Sequence, residues 1–369
     1  MPHHRKDIAI VGAGKIGAMI ADMLGHCGDY SVTVLDASQA QLDRLDTKAE
    51  VQRRRVDIAD HAALVDHLAG KFAVLSAAPF HLTTKIAEAA AEAGAHYLDL
   101  TEDVASTRRV KQLAAEGAKT AFIPQCGLAP GFIAIAAHDL AQRFDTLDTV
   151  HLRVGALPEF PTNALGYNLT WSTDGVINEY IEPCEAIVNG KLREMPALEE
   201  VEHFSLDGVA YEAFNTSGGL GTLCETLAGK VRNLNYRTVR YPGHAAVMKL
   251  LLQDLRLADR REVLKDILEK ALPMTGQDVV LVFVSVTGTK DGRLMQETYA
   301  HKVYAQEMNG VERTAIQVTT AAGICTVLDL LAEGVLPQKG FVRQEDISFP
   351  AFLANRFGKV YAGGGPAKA

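Results

Sequence analysis

Gly12, Gly14 and Gly17 follow the apolar run Ile8-Ala-Ile-Val11 and precede a helical pattern. Glycines at this spacing, between a strand and a helix, suit the holding of a dinucleotide pyrophosphate. The first allows a tight turn, the second admits the phosphates to the backbone, and the third lets helix and strand pack closely. The helix start then offers its free N–H groups to the anion. Lys15 and Ile16 belong to the same turn. Asp36 ends the β-branched run Ser31-Val-Thr-Val-Leu-Asp36, about 20 residues beyond the last glycine, where a carboxylate accepts from ribose hydroxyls. Its other reading is a helix N-cap, in competition with Ser38. The stretch Ala37-Ser38-Gln39-Ala40 supplies no arginine for a 2′-phosphate, so NAD is expected rather than NADP. Asp57 reads either as a contact at the adenine edge or as a helix cap. Ser76, Ala77 and Pro79 end a further strand where the nicotinamide ribose would lie, or form a plain turn.

These residues need a scaffold, and the pattern supplies one. Six short apolar strands alternate with helical stretches between residues 7 and 125. That rhythm implies an α/β Rossmann fold, a doubly wound parallel sheet with right-handed crossovers. It breaks at Pro124-Gln-Cys-Gly-Leu-Ala-Pro-Gly131. Longer strands follow at 149–154, 186–189, 209–214, 278–287 and 296–304, with helices at 219–227, 245–255 and 261–270. Their period-2 alternation suggests an antiparallel sheet with one packed face. The expected division is a nucleotide domain of residues 1–125 and about 330–369, with an α+β substrate domain of 126–329 inserted into it.

Composition narrows the class. A net charge of −8 and only short basic runs, Arg53–Arg55 and His3–Lys6, argue against nucleic acid. Five scattered cysteines without a C-x-x-C argue against a zinc site or disulfide framework and for a reducing, cytoplasmic compartment. No metal is expected. A strand begins near Asp7, leaving no room for a signal peptide, and no apolar run approaches the ~20 residues of a membrane span. The tail Gly363–Ala369 reads as disordered.

Cys126-Gly-Leu-Ala-Pro-Gly-Phe132 resembles the "GLxPG" junction of the saccharopine dehydrogenase superfamily. Trp171–Tyr180, Glu212–Gly219 and Tyr236–His244 are similar to stretches of its lysine 6-dehydrogenase branch. The resemblance implies a Rossmann domain, a mixed-sheet domain for substrate binding and homodimerisation, and hydride transfer between a C–N bond and NAD(P). In the lysine branch, NAD oxidises the ε-carbon of lysine to an imine, which water then opens. Saccharopine enzymes carry Asp where this chain has Ala129, and carboxynorspermidine-type reductases are a further alternative. A non-catalytic NAD-binding regulator is the reading from another class. The expected partner is a small amino acid or amine.

Such chemistry needs a neutral amine, a proton acceptor and a fixed cation for a substrate carboxylate. Arg240 is the candidate cation, with Arg237 its rival and a structural salt bridge its alternative role. His244, at a helix start, is a candidate proton acceptor or a capping residue. Tyr97 and Glu102, around the end of the fifth strand, are the other catalytic candidates, with a core role open for Tyr97. Cys126 at the junction is either a substrate contact or a buried, inert thiol. Ser217 and Gly218 precede the expected helix, whose N–H groups could hold a carboxylate or be capped internally. Asn168 and Trp171, the single tryptophan, fall in an irregular segment that walls the substrate or meets a second subunit.

Overall fold

The computed structural model describes residues 5–362 and divides them into two compact units, 5–135 with 317–362 and 136–316. The expected disordered tail, and His3 and His4 of the first basic run, lie outside the described residues.

The first unit begins with β1 (Lys6–Val11), α1 (Lys15–Cys27), β2 (Tyr30–Asp36), α2 (Gln39–Asp43), β3 (Gln52–Arg55), α3 (His61–Leu68) and β4 (Ala73–Ser76). It continues with α4 (Thr83–Ala93), β5 (His96–Asp99), α5 (Val104–Ala115), β6 (Ala121–Ile123) and the start of α6 (Phe132–Ala141). Val11, Val74, Tyr97 and Phe122 on the strands pack with Ile86, Ala90 and Val110 on the helices to make its core. Continuous apolar strands of this kind are buried on both faces, as parallel sheets require.

The second unit comprises β7 (Thr146–Pro158), α7 (Thr173–Ile181), β8 (Cys184–Val188), β9 (Lys191–Met195), β10 (Glu202–Leu206), β11 (Val209–Asn215), α8 (Leu223–Thr226) and β12 (Val231–Arg240). Then come α9 (His244–Lys249), α10 (Arg261–Ala271), β13 (Asp278–Lys290), β14 (Arg293–Tyr304) and the small ladder of β15 (Gln306–Met308) with β16 (Val311–Arg313). Its large sheet runs β10-β11-β12-β7-β13-β14. The sheet is mixed, not antiparallel as the alternation suggested, because β12 pairs with β7 in parallel. Helices α7 and α8 lie in the long connection between those two strands, which is the kind of crossover a parallel pair needs. Strand β12 interleaves Arg232, Asn233, Asn235 and Arg237 with its buried residues, which hid it from an apolar pattern.

The chain then re-enters the first unit through α11 (Ala315–Ala332), followed by β17 (Gly340–Phe341) and α12 (Phe349–Ala354). Helix α11 has the length and composition of a membrane span, but 83% of it is buried inside the fold, as in a core helix. Strand β17 adds to β6 in parallel, so the first sheet has seven strands in the order β17-β6-β5-β4-β1-β2-β3, not six. The units divide inside α6 and α11, not at residues 125/126 and 329/330.

Candidate functional site

In the first unit β1 lies between β2 and β4, so the strand order reverses beside it. Ligands of open α/β sheets sit at the carboxyl end of such a switch point. Gly12 holds φ +111°, and an added Cβ would come within 2.7 Å of the Ala77 carbonyl oxygen. A Cβ on Gly17 would fall onto the Gly12 carbonyl oxygen, whereas one on Gly14 meets nothing within 4 Å. The loop is therefore closed where it packs and open where a phosphate would approach. Helix α1 has no side-chain cap, so its first N–H groups remain available to an anion. Lys15 is exposed and Ile16 half-buried on that first turn.

Asp36 ends β2 with both oxygens engaged by backbone. Oδ2 accepts from Ala13 N–H inside the glycine turn and Oδ1 from Ser38 N–H, each at 2.8 Å. The cap of α2 is Ser38, whose Oγ accepts from Gln41 N–H, so Asp36 is not the cap. Asp57 is likewise no helix cap. It closes an Asx turn onto Ala59 N–H while Asp60 caps α3. One residue near this end escaped the sequence reading. Arg55 on β3 is the register partner of Asp36, and its Nε donates to the Ala37 carbonyl at 3.1 Å. An exposed guanidinium thus stands beside the Asp36 end of β2 although no arginine follows Asp36 in sequence.

Across the switch point, Ser76 ends β4 in a buried position, Ala77 N–H is bound to the Val11 carbonyl at 2.8 Å, and Pro79 is exposed on the turn that follows. Tyr97 proves to be a core residue: it is fully buried, stacks on Phe122 and donates to Asp99 Oδ2 at 2.9 Å. Asp99 itself was not singled out, yet it pins the loop, accepting from Gln125 N–H at 2.8 Å and Thr101 N–H at 3.0 Å. Burial pushes its carboxyl up to about 6. Cys126 is fully buried, with its Sγ donating to the Ile123 carbonyl and accepting from Gln344 Nε2. Burial raises its thiol pKa well above the ordinary value, so the group stays protonated as a packing thiol does. Glu102 remains half-buried just beyond β5, its carboxyl raised chiefly by desolvation. These residues fit a dinucleotide at the switch point. A separate cavity of about 710 Å³ lies at the opposite, amino end of the strands, where Lys6 and Tyr30 begin β1 and β2.

The second unit holds a different arrangement. Arg237 and Arg240, three residues apart on a strand, leave it on opposite faces. Arg237 is saturated by Glu202 at 2.6 Å and Glu200 at 2.7 Å. Arg240 is 2% exposed, and among the described residues it has no carboxylate within ion-pair distance. Its Nε donates to the Tyr180 hydroxyl and its Nη1 to the Val239 carbonyl, each at 2.9 Å, while the guanidinium lies 4.9 Å from the centre of the Tyr167 ring. The Tyr167 hydroxyl and Thr170 Oγ1 are buried beside one another, and neither makes a hydrogen bond of full geometry. A buried guanidinium with no ion-pair partner, met only at longer range by the Glu179 charge, beside buried hydroxyls, has the character of a carboxylate site.

His244 sits in this cluster, not at its mouth. It is 1% exposed, with Nδ1 3.0 Å from the Leu165 carbonyl and Nε2 3.0 Å from the Tyr180 hydroxyl. Burial and the Arg240 charge hold its pKa down at about 3. The expectation of a free proton acceptor is thereby corrected, since both ring nitrogens are occupied. It does not cap α9 either, whose start is held by Glu212 on Gly243 N–H at 2.8 Å and Ala245 N–H at 2.6 Å. Trp171 packs on the same apolar cluster with Tyr180 and Phe214. Asn168 is buried in the adjoining loop, accepting from Asn163 at 3.3 Å. Ser217 and Gly218 do not head a long helix. The expected helix 219–227 shrinks to α8, because Gly219 and its neighbours form turns against the Tyr236 ring. Tyr167, Tyr180 and Glu212 were missed as site residues. The signal for Tyr180 was its place, with Val176 and Ile177, on one buried stripe of α7.

The Saccharopine dehydrogenase NADP binding domain family matches residues 8–122, and the Saccharopine dehydrogenase C-terminal domain family matches 127–357. Saccharopine dehydrogenase [NADP(+), L-glutamate-forming] of Saccharomyces cerevisiae is 25% identical over 69% of this chain and 59% of its own length. Mitochondrial alpha-aminoadipic semialdehyde synthase of Mus musculus is 22% identical over 51% of this chain, which spans only 21% of that relative. The solved apo saccharopine dehydrogenase (L-Glu forming) from S. cerevisiae superposes with a TM-score of 0.77 at 17% identity, over 94% of this chain and 96% of that one, and so shares the fold. With more than half of its length inside the second of these family matches, the chain belongs to the saccharopine dehydrogenase family.

Proposed function

We propose that this chain is a pyridine-nucleotide-dependent oxidoreductase acting on a C–N bond of an amino acid, with Arg240 holding a substrate carboxylate. The observation that carries this reading is the buried, unpaired Arg240 guanidinium, which a carboxylate would neutralise through charge-assisted hydrogen bonds. The dinucleotide, when bound, supplies the hydride acceptor or donor. Gly12, Gly14, Gly17 and the start of α1 would bind its pyrophosphate, and Asp36 its adenosine ribose. Glu102, whose carboxyl is raised by desolvation, is the candidate proton acceptor of the first unit. NAD is the favoured cofactor on the strength of Asp36. The favoured reaction is oxidative deamination of L-lysine or a lysine-like amine, because Ala129 stands where saccharopine enzymes carry Asp.

The experiment is direct. Purified protein is given NAD or NADP with L-lysine, L-ornithine, diaminopimelate or L-saccharopine at alkaline pH, and reduced cofactor is followed by absorbance. Reduction with a carboxylate-bearing amine, but not with the carboxylate-free diamine cadaverine, is the expected result. Equal rates with cadaverine would remove Arg240 from the mechanism, and no reduction with any amine would overturn the assignment.

A further inference from the structure

Four groups of the second unit form a run of hydrogen bonds whose direction is set at both ends. The Leu165 carbonyl can only accept, so His244 Nδ1 carries the proton that spans their 3.0 Å separation. His244 Nε2 is therefore a bare acceptor and takes the Tyr180 hydroxyl proton at 3.0 Å. At the far end Arg240 Nε can only donate, and it donates into the Tyr180 oxygen at 2.9 Å. Every proton in the run is assigned by the chemistry of its two ends.

We propose that His244 and Tyr180 are positioning residues. The run from Leu165 through His244 and Tyr180 clamps one edge of the Arg240 guanidinium and leaves its Nη2 group to receive a substrate carboxylate. The proposal rests on the carboxylate reading of Arg240 given above.

Each link constrains the next. If His244 carried its proton on Nε2, that proton would point at the Tyr180 oxygen. The Tyr180 proton would then lose its acceptor, and the bare Nδ1 would face the Leu165 carbonyl oxygen lone pair to lone pair. Of the two neutral tautomers only the Nδ1-protonated ring makes all three contacts, and burial beside a guanidinium favours a neutral ring over an imidazolium. The ring is held from outside as well. Phe214 stacks on it at 6.0 Å with planes 9° apart, and Tyr167 meets it edge-on at 5.4 Å. Glu212 fixes its backbone by holding both flanking N–H groups at the start of α9. The titratable or charged groups that face it are Tyr167, Tyr180 and Arg240. The second Arg240 anchor, Nη1 on the Val239 carbonyl at 2.9 Å, completes the clamp.

The single tryptophan reports on this pocket. Trp171 packs on the cluster that contains Tyr167, Tyr180 and Phe214. Its fluorescence is titrated with L-saccharopine and L-lysine in the full chain and in Arg240→Met, Tyr180→Phe, His244→Phe and His244→Gln. Binding of NAD is measured beside each titration as a check on folding. The expected result is that Tyr180→Phe and His244→Phe weaken the better probe by about tenfold or more, as loss of a buried hydrogen bond to a charged group does. His244→Gln keeps a donor for Leu165 and an acceptor for Tyr180, and stays within about threefold of the parent. Between about pH 5.5 and pH 9 the parent and His244→Gln show parallel affinities, since the buried His244 stays neutral throughout.

Parent-like binding by His244→Phe overturns the proposal, as does a break near about pH 6.5 that His244→Gln abolishes. Failure of the carboxylate reading looks different. In that case Arg240→Met responds like the parent, or the parent responds to neither probe, and the positioning role falls with it.

Discussion

Glu212 reaches from β11 to hold the backbone N–H groups on either side of His244, at 2.8 Å from Gly243 and 2.6 Å from Ala245. A carboxylate at a helix start is favourable, because it satisfies donors that have no partner within the helix. Here it also fixes the residue on which the Arg240 arrangement depends. Replacing Glu212 by Gln keeps an acceptor for one N–H only. The expected outcome is a loss of about 1 to 2 kcal/mol in urea unfolding, accompanied by weaker binding of the carboxylate probe to the second unit. Unchanged unfolding would mean that the cap carries no load.

Arg237 and Arg240 predict opposite responses to the same change. Arg240→Met removes a buried cation that has no ion-pair partner, so stability should hold or rise by about 1 kcal/mol while carboxylate binding disappears. Arg237→Met strands Glu200 and deprives Glu202 of one of its two cations. A stability loss of about 1 kcal/mol with probe binding retained is expected there. Chemical denaturation of both variants, paired with the fluorescence titration, reads the contrast.

Gly14 and Gly17 make a second contrasting pair. An alanine methyl at Gly17 would strike the Gly12 carbonyl, which should cost about 2 to 3 kcal/mol of folding stability. The same methyl at Gly14 meets no protein atom within 4 Å. Gly14→Ala should fold with a Tm near the parent's and still lose dinucleotide affinity by about tenfold or more, because the methyl occupies the space of a phosphate. Thermal unfolding with and without NAD separates the two.

Arg55 and Asp36 are expected to set the cofactor choice between them. Asp36→Ser should weaken NAD by about tenfold and relax exclusion of NADP, since a carboxylate beside a 2′-phosphate repels it. Arg55→Gln should leave NAD unaffected and lower whatever affinity the chain has for NADP, by removing the guanidinium beside Ala37. Calorimetric titration of the cofactor-free protein with NADH and NADPH gives four constants per variant. Identical selectivity in all variants would show that neither residue meets the ribose.

The pH dependence of folding should carry the mark of Asp99. Its folded pKa of about 6 lies above its ordinary value of 3.8, so the native state binds the proton more tightly than the unfolded chain. The associated stability is complete below about pH 4 and is lost as pH rises through 6, by about 3 kcal/mol in all. Asp99→Asn keeps an acceptor for the Gln125 and Thr101 N–H groups and lets Tyr97 donate to the Thr83 carbonyl instead. Urea unfolding between about pH 4 and pH 8 should therefore fall more steeply for the parent than for the variant. Parallel curves would rule out Asp99 as the titrating group.

The first unit was largely legible because its signals are local. A strand, three glycines and a strand-end acid fix the switch point within one stretch of chain, and the structure packs Gly17 on the Gly12 carbonyl and ties Asp36 to Ala13 N–H between them. What escaped there came from other strands. Arg55 reaches the Asp36 end only through the register of β2 with β3, and β17 is two residues long. The second unit was less legible because its site is assembled from segments far apart in sequence. Arg240 was found by type, but the neutrality and occupation of His244 follow from Tyr180 and Leu165, which no spacing connects to it. Helix α7 was missed for a packing reason. Gly175 in its first turn lowers helix propensity, yet it is needed there because any side chain would collide with the Trp171 ring.

The two N–H groups on Asp36 have a consequence for timing. Because Ala13 and Ser38 already hold the carboxylate at the end of β2, the glycine turn and the adenosine end are braced as one rigid template before any cofactor arrives. Little of the chain should have to be ordered by the ligand itself. Association at that template should therefore be a single fast step, governed by collision and charge instead of loop closure.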